Sequence, residues 1–297
     1  MAARGQSLSH VRELLQGRGL RPKEKLGQNF LVDLNLLEVL LQAAELTGDD
    51  LVVEIGAGTG SLTARLAQKA GAVFSVEIDS AFMALAQKAV GHDEPVRLVH
   101  ADILHGKNHF NPDVLRLLDE HRRKWPCARL KLVANLPYAV ATPVIANFLL
   151  SDLTFERMVV TVQLEIAEKL IAVPATKDYG ALSVLVQSLA EVEVLRRLPP
   201  SVFWPRPKVA SAFVCIRPDP ARRAEVGDVH AFRIFLRDLY SHRRKNLRGA
   251  LGAIPGQCLD KPAIDRKLAD LGIDGSLRAE TLDIEQHLRL CRTFASE

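Results

Sequence analysis

The feature that most constrains the fold is a short apolar run followed directly by closely spaced glycines. Residues 51–55 read Leu-Val-Val-Glu-Ile, and residues 56–60 read Gly-Ala-Gly-Thr-Gly. The run has the length of a buried parallel strand, and Leu62 and Leu66 continue it with helical spacing. Glycines at such a turn let the backbone approach a ligand closely, and the following helix N-terminus offers free N–H groups. The pattern predicts a strand, a glycine turn and a helix.

The glycine turn alone does not identify a ligand. Its spacing is G-x-G-x-G rather than the dinucleotide pattern G-x-G-x-x-G, so a structural turn or a nicotinamide site remains open here. A second apolar run, 73–76, ends at Glu77, about 20 residues after Gly56, which is typical of an acid that binds a ribose diol. A third run, 96–100, leads to Asp102, a candidate acceptor for an adenine amine. Parallel strands bring these groups to one crevice.

A fourth run, 130–134, leads to Asn135-Leu136-Pro137-Tyr138 at the same predicted edge. The Asn135 side-chain oxygen and a backbone carbonyl near Pro137 are placed to accept both N–H bonds of an exocyclic amine, which directs the lone pair of that amine toward a bound cofactor. Proline fixes the backbone angle, and Tyr138 offers a stacking face to a base. Such a tetrapeptide is an ordinary turn in most proteins, but its position after the fourth strand favours a functional interpretation.

Six segments spread along the chain form a specific set. They are KLGQNFL at 25–31, EIGAGTGSLT at 54–63, NLPY at 135–138, QLEIAE at 163–168, KDYGALSV at 177–184 and FWPRPKV at 203–209. Together they resemble the small-subunit rRNA adenine N6,N6-dimethyltransferase family, whose members use S-adenosylmethionine. The resemblance implies an α/β fold, a Rossmann-like methyltransferase sheet that is mostly parallel with one antiparallel edge strand, and a smaller all-helical C-terminal domain. Three positions, Ala57, Ala134 and Ala210, depart from the residue types that are usual in the family. None of these departures removes a reactive group.

The resemblance also implies the site residues. Matching positions place S-adenosylmethionine against Asn29, Leu31, Gly56, Glu77, Asp102 and Asn135, and we add their neighbours Gly58, Ile78 and Ile103. The expected catalytic residues are Asn135, Leu136, Pro137 and Tyr138, with Phe203 as a second aromatic wall. A base inside a duplex cannot reach such a pocket, so the target adenosine must be unpaired or flipped.

Two domains are expected. Residues 1–217 form the catalytic domain, with an N-terminal helix and cofactor-binding segment at 1–35, and residues 218–297 form a helical RNA-binding domain. From Arg217 to Leu251 we count nine basic and four acidic residues. This excess fits a phosphate-facing surface, with a solvated helix face as the alternative. The expected RNA contacts are Arg243, Arg244, Lys245 and Arg248.

Composition excludes several classes of protein. The chain has 297 residues, 48% of them hydrophobic, and a net charge of +4. The sequence contains no apolar run of about 18 residues, so we expect no membrane span. Cys127, Cys215, Cys258 and Cys291 form no C-x-x-C pair, which indicates a reducing cytoplasm without disulfides or a metal site. The basic residues before Glu13 also resemble a mitochondrial presequence, but Leu8, Val11, Leu14 and Leu15 favour a native helix. Residues 105–129 are longer than is typical of the family and predict an added helix closed by Trp125-Pro126.

The expected activity is dimethylation of adenosine N6 in small-subunit (16S) rRNA near its 3′ end, by a monomer acting on rRNA within the small ribosomal subunit. Two alternatives remain. One is a large-subunit (23S) rRNA adenine methyltransferase that confers antibiotic resistance, and the other is a non-catalytic assembly or transcription factor that binds RNA or DNA. Intact Glu77, Asp102, Asn135 and Tyr138 argue against the non-catalytic alternative.

Overall fold

A computed structural model of the protein describes residues 8–91, 95–106, 109–126 and 128–295. The strands are β1 Phe30–Leu31, β2 Asp50–Ile55, β3 Ala72–Glu77, β4 Val96–His100, β5 Arg129–Asn135, β6 Phe155–Gln163, β7 Ala190–Leu198, β8 Phe203–Trp204 and β9 Ser211–Pro218. Cys127 and the presequence-like residues 1–7 lie outside the described residues.

The α-helices are α1 Leu8–Gln16, α2 Leu34–Ala43, α3 Ser61–Lys69, α4 Ser80–Val90, α5 Pro112–Arg122, α6 Ala141–Leu150, α7 Leu164–Leu170, α8 Ala181–Gln187, α9 Pro220–Val226, α10 Val229–Ser241, α11 Leu247–Leu251, α12 Lys261–Asp270 and α13 Ile284–Phe294. Short 3-10 helices span Glu24–Leu26, Pro200–Val202 and Ala279–Thr281. None of the described helices has the length and apolar character that crossing a bilayer requires.

Seven strands form one sheet in the order β4-β3-β2-β5-β6-β9-β7. Each pair of neighbouring strands in the part β4-β3-β2-β5-β6 is parallel. Strand β9 runs antiparallel to β6, with Val162 opposite Ala212. Strands β2 and β3 are buried along their whole length, which is why they read as continuous apolar runs. The predicted mostly parallel sheet with an antiparallel strand at one side is confirmed.

The chain forms two compact units. The first comprises Met1–Ala167 and Glu193–Pro218, and the second comprises Glu168–Val192 and Asp219–Glu297. The sequence placed one division after residue 217, whereas the structure groups Glu168–Val192 with the C-terminal helices as well. Within this second unit, Gln187 Nε2 donates to the carbonyls of Leu170 and Ala172 at 2.9 and 2.8 Å.

The N-terminal helix α1 belongs to the first unit. Its buried residues Val11 and Leu15 pack with Phe82 and Leu85 of α4. The predicted native helix at this position is therefore confirmed for the described residues.

The predicted extra helix within 105–129 is also present, as α5. The Asn111 side chain caps it by accepting from Asp113 N at 3.0 Å, and proline occupies its first turn. Val114 and Leu118 are buried, and the His121 ring lies 6.0 Å from the Phe74 ring of β3. The helix is thus packed onto the sheet rather than projecting from it.

A buried ion pair lies where β2 and β5 begin, at the opposite end of these strands from their carboxyl edge. Lys131 Nζ is 3.0 Å from Asp50 Oδ2 and donates to the carbonyl of Glu45 at 2.7 Å. Both side chains are almost fully buried, and Arg129 Nε contacts Asp50 Oδ1 at 3.0 Å. These contacts join the starts of the two central strands.

Replacing Lys131 with Met should lower the free energy of unfolding by about 3 kcal/mol, because it leaves the buried Asp50 carboxylate with the half-exposed Arg129 and the backbone N–H of Thr47 but without its buried cation. Denaturant unfolding measures this loss. The control is Arg123→Gln, which breaks an exposed ion pair with Asp119 and should cost less than about 1 kcal/mol. Equal losses in the two variants would contradict a special role for the buried pair.

Candidate active site

The carboxyl ends of β2, β3 and β5, together with residues 101–103 after β4, surround a cavity of about 270 Å³. All nine residues expected from the sequence to contact a cofactor line it: Asn29, Leu31, Gly56, Gly58, Glu77, Ile78, Asp102, Ile103 and Asn135. The parallel topology therefore brings together groups that are up to about a hundred residues apart in the chain. That they bind the cofactor stays a prediction.

The turn between β2 and α3 requires its glycines for both conformation and space. Gly56, Gly58 and Gly60 have φ values of 88°, 56° and 80°, which favour glycine. A Cβ on Gly56 would lie 3.0 Å from Pro137 Cγ, and one on Gly60 would lie 2.7 Å from the Ala86 Cα. The glycines thus allow the turn to pack directly against the 135–138 segment and helix α4.

Glu77 supports the glycine turn from the end of β3. Its Oε2 accepts from Gly58 N at 2.8 Å, and its Oε1 accepts from Asp79 N at 2.9 Å. Burial raises the pKa of the Glu77 carboxyl, although these N–H bonds oppose the shift. The backbone N–H of Ile78 also donates to this carboxylate, which with about four acceptor sites keeps room for one ligand hydroxyl.

Glu54 is a cavity residue that the sequence reasoning did not select. Its Oε2 accepts from Thr63 Oγ1 and Ser75 Oγ, both at 2.6 Å, and its buried Oε1 has no hydrogen-bond partner among the described residues. Burial raises the pKa of Glu54 to about 7. The sequence feature that could have identified Glu54 is its position as an acid inside the apolar run 51–55, because an unpaired charge that is buried there is costly. Such a carboxyl suits a cationic ligand.

Asp102 lies on the exposed side of the cavity. Its Oδ1 accepts from Leu104 N at 2.9 Å, and its backbone carbonyl accepts from Asn111 Nδ2 at 3.1 Å. The neighbouring Ile103 is buried, whereas Ile78 beside Glu77 is 42% exposed. The two isoleucines offer apolar surface close to two acids, which is the environment that a nucleoside requires.

The Asn135 amide has a fixed orientation. Its Nδ2 donates to the carbonyl of Asn29 at 2.8 Å, and its Oδ1 is buried without a partner among the described residues. Since only the amide nitrogen can donate to a carbonyl, the oxygen is left as the free acceptor. A buried acceptor without a donor is costly, so this oxygen is prepared for an N–H group from a ligand.

The rest of the 135–138 segment divides between core and cavity. The Leu136 side chain is buried in the core, whereas Pro137 lines the cavity. The Pro137 carbonyl accepts from Val140 N at 3.0 Å in the turn that leads to α6. The Tyr138 side chain is half-buried, and its hydroxyl lies 2.5 Å from Ser211 Oγ.

Phe203 lies in the core rather than on the cavity wall. It is 3% exposed, pairs with Leu31 across the β1–β8 ladder and packs in a cluster with Leu198 and Phe213. A role as the second aromatic wall therefore requires this ring to turn out of the cluster, and it stays a prediction.

Residues 23–31 form an N-terminal strap that closes one side of the cavity. Lys23 Nζ lies 2.8 Å from Asp79 Oδ2, and the Phe30 and Phe82 rings are 5.0 Å apart. A Cβ on Gly27 would lie 2.9 Å from the backbone nitrogen of Tyr138, so the strap packs directly on the 135–138 segment. The sequence reasoning selected neither Lys23 nor Asp79, because their contact depends on the tertiary fold.

The four expected RNA contacts differ in their surroundings. Arg243 Nε lies 2.7 Å from Glu280 Oε2 and the same side chain donates to the carbonyl of Lys177 at 2.8 Å, while Arg248 Nε lies 2.5 Å from Asp265 Oδ1. Arg244 and Lys245 are exposed and form no ion pair with the described residues. Of the four expected RNA contacts, only Arg244 and Lys245 therefore present a positive charge that no described acidic side chain compensates.

In the described part of the chain, no group of three or more His, Cys, Asp or Glu side chains is arranged to hold a metal ion. Cys215, Cys258 and Cys291 are free thiols. The cavity lining includes carboxylates, amides and backbone groups.

A family model described as ribosomal RNA adenine dimethylase matches residues 19–295. The chain belongs to this family. The resemblance carried by the six sequence segments is thereby confirmed, and with it the assignment as an rRNA adenine dimethyltransferase enzyme.

Similar proteins named ribosomal RNA small subunit methyltransferase A occur in several bacteria. The relative from Pelotomaculum thermopropionicum is 40% identical over 96% of this chain and 95% of its own length. The relative from Moorella thermoacetica is 38% identical over 99% and 98% of the two chains.

Two solved structures share the fold. A dimethyladenosine transferase from Plasmodium falciparum superimposes with a TM-score of 0.68 at 23% identity, covering 87% of this chain and 94% of that one. The 23S rRNA methyltransferase ErmE superimposes with a TM-score of 0.60 at 26% identity, covering 90% and 100%.

Proposed function

We propose that this enzyme transfers methyl groups from S-adenosylmethionine to the N6 amine of adenosines in small-subunit (16S) rRNA near its 3′ end, two per base. The observation that carries the proposal is the buried Oδ1 of Asn135, which has no hydrogen-bond partner in the described part of the chain and lies at a glycine-lined cavity. An acceptor held in this way fits the N–H of an exocyclic amine. The names of the relatives add the small subunit as the source of that amine.

The cavity residues fit S-adenosylmethionine. Glu77 would accept from the ribose hydroxyls, Asp102 would accept from the adenine amine, and Ile78 and Ile103 would cover the ring, since all four line the cavity. Glu54 Oε1 would balance the positive charge of the methionyl part. When bound, the cofactor supplies a methyl group on a sulfonium; the protein binds it, orients it and excludes water.

The target amine is a poor nucleophile because its lone pair is delocalised into the ring. Asn135 Oδ1 accepts one of its N–H bonds, and the backbone carbonyl of Leu136 accepts the other. This carbonyl belongs to the peptide bond whose orientation the ring of Pro137 restricts. The Pro137 carbonyl is less suited, because it already accepts from Val140 N. As the nitrogen–carbon bond forms and the bond from the methyl carbon to sulfur breaks, both acceptors stabilise the positive charge that develops on nitrogen. The alkylated amine is acidic enough to release its N–H proton to water, so no strong base is required.

Methylation of large-subunit (23S) rRNA is the second candidate, because ErmE shares the fold over 90% of this chain. The small subunit is favoured, since the relatives that carry its name are up to 40% identical over nearly full length, against 26% for ErmE. We propose the cytoplasm as its location, because the relatives named for the small subunit are bacterial proteins.

A single assay separates these functions. Unmethylated small and large subunits are incubated separately with S-adenosylmethionine labelled on the methyl group, and the label is mapped by mass spectrometry. Label on paired methyls of adenosines near the small-subunit 3′ end is expected. Label on the large subunit supports the second candidate, and no label on either contradicts both.

Asn135→Ala should reduce kcat by at least about a hundredfold, because the amine loses the acceptor that orients it. RNA affinity should change little, since the phosphate contacts remain. Single-turnover methylation and filter binding measure the two quantities. Unchanged turnover would exclude the orienting role.

The affinity for S-adenosylmethionine should rise with pH between about 5 and 7 and level off above 7. Glu54 has a pKa of about 7 in the free protein and must lose its proton to pair with a cation, so acidic pH opposes binding. Calorimetric titration measures the dissociation constant across this range.

Glu54→Gln is the matched variant, since it keeps the shape of the side chain and removes its titration. Its affinity should be weaker at pH 7 and nearly independent of pH. The same slope in both proteins would assign the dependence to Glu77, whose pKa burial also raises.

Replacing Arg244 and Lys245 with Gln should make rRNA binding less sensitive to salt. The slope of the logarithm of the binding constant against the logarithm of the salt concentration should become shallower by about 0.7 to 0.9 per lost phosphate contact. Arg243→Gln and Arg248→Gln are the controls, because Glu280 and Asp265 already compensate these charges. The binding constant is measured against salt concentration. Equal slopes in all variants would make this surface an ordinary solvated helix face.

A further inference from the structure

The Tyr138 side chain makes a contact that stacking on a base does not require. Its hydroxyl lies 2.5 Å from Ser211 Oγ, and Ser211 is fully buried as the first residue of β9. A phenylalanine would present the same aromatic face, so the hydroxyl has another use.

This hydrogen bond spans the sheet at its carboxyl edge. Strand β6 separates β5 from β9, and its residues Thr161 and Gln163 pair with Asn135 and Ser211. Tyr138 therefore reaches over the end of β6 to the strand beyond it. The bond links the 135–138 segment to the start of β9, directly after residues 205–210, which connect β8 to β9.

The Tyr138 residue is restrained at both ends. At its backbone, Gly27 packs so closely that a Cβ added to Gly27 would lie 2.9 Å from Tyr138 N. At its hydroxyl, burial raises the pKa of Tyr138, so the group keeps its proton and can donate. A ring restrained at its two ends has one orientation.

We propose that Ser211 is a positioning residue, whose hydroxyl fixes the Tyr138 ring in the orientation that stacks on the extruded adenine. The proposal rests on the proposed function. It makes Ser211 act through Tyr138 rather than by touching the substrate. The ring then needs no ordering when the base enters, which favours the reactive geometry.

The kinetic test compares Ser211→Ala, Tyr138→Phe and the double variant in methylation of unmethylated small subunits. Each single variant should lower kcat about fivefold, as expected for one buried hydrogen bond, with the dissociation constant of S-adenosylmethionine unchanged. The double variant should be no slower than either single one, because all three lack the same bond. Ser211→Thr should restore the rate.

Ser188→Ala is the matched control, since Ser188 is also buried and its hydroxyl donates to the carbonyl of Val184 at 2.6 Å within the second unit. It should leave kcat unchanged. The proposal would be overturned if the kcat losses of the two single variants multiplied in the double variant. A wild-type kcat in Ser211→Ala would overturn it as well.

A second measurement does not depend on activity. The chain has three tyrosines, so 3-fluorotyrosine labelling gives three fluorine resonances, and Tyr138→Phe identifies one of them. Ser211→Ala should shift and broaden the Tyr138 resonance and leave the other two unchanged. An unchanged Tyr138 resonance would overturn the positioning role even if the enzyme methylates small subunits. Absence of methylation by the wild-type enzyme would instead overturn the proposed function.

Discussion

The hydrogen bond from Asn135 Nδ2 to the carbonyl of Asn29 determines what the site can do. It turns the amide so that Oδ1 is a buried acceptor for which the described residues supply no donor, and it joins the N-terminal strap to the end of β5. Without the strap, the amide would be free to rotate and to present its nitrogen to a target amine, which would repel it. The substrate geometry therefore depends on a segment that lies 106 residues earlier in the chain.

Burial acts differently on the carboxyls around this cavity. It raises the pKa of Glu54 and Glu77, which face the cavity. Burial also opposes the ionisation of Asp79, but hydrogen bonds from Lys23 and the backbone of Ala81 outweigh it and lower the pKa of that group. Asp79 thus carries a fixed charge that holds the strap in place. Glu54 keeps an adjustable charge, which suits a group that must balance a bound cation and remain stable without it.

The sequence predicted much of this architecture because the information is local. Apolar runs of strand length, each followed by a polar residue, identified the sheet edge with Glu77, Asp102 and Asn135, whereas Asn29 and Leu31 came from the resemblance to the family. The contribution of Glu54 was missed because its partners Thr63 and Ser75 come from a helix and another strand. The pairing of Arg243 and the burial of Phe203 likewise depend on residues far away in the chain, so charge counts and motifs could not reveal them.

The most direct test of the account is an experimental structure of the enzyme with bound S-adenosylmethionine. The account predicts that the methyl carbon points toward the opening beside Asn135 Oδ1 and Tyr138, with the ribose on Glu77. A methyl carbon that is distant from residues 135–138, or that faces a closed wall of the cavity, would contradict it.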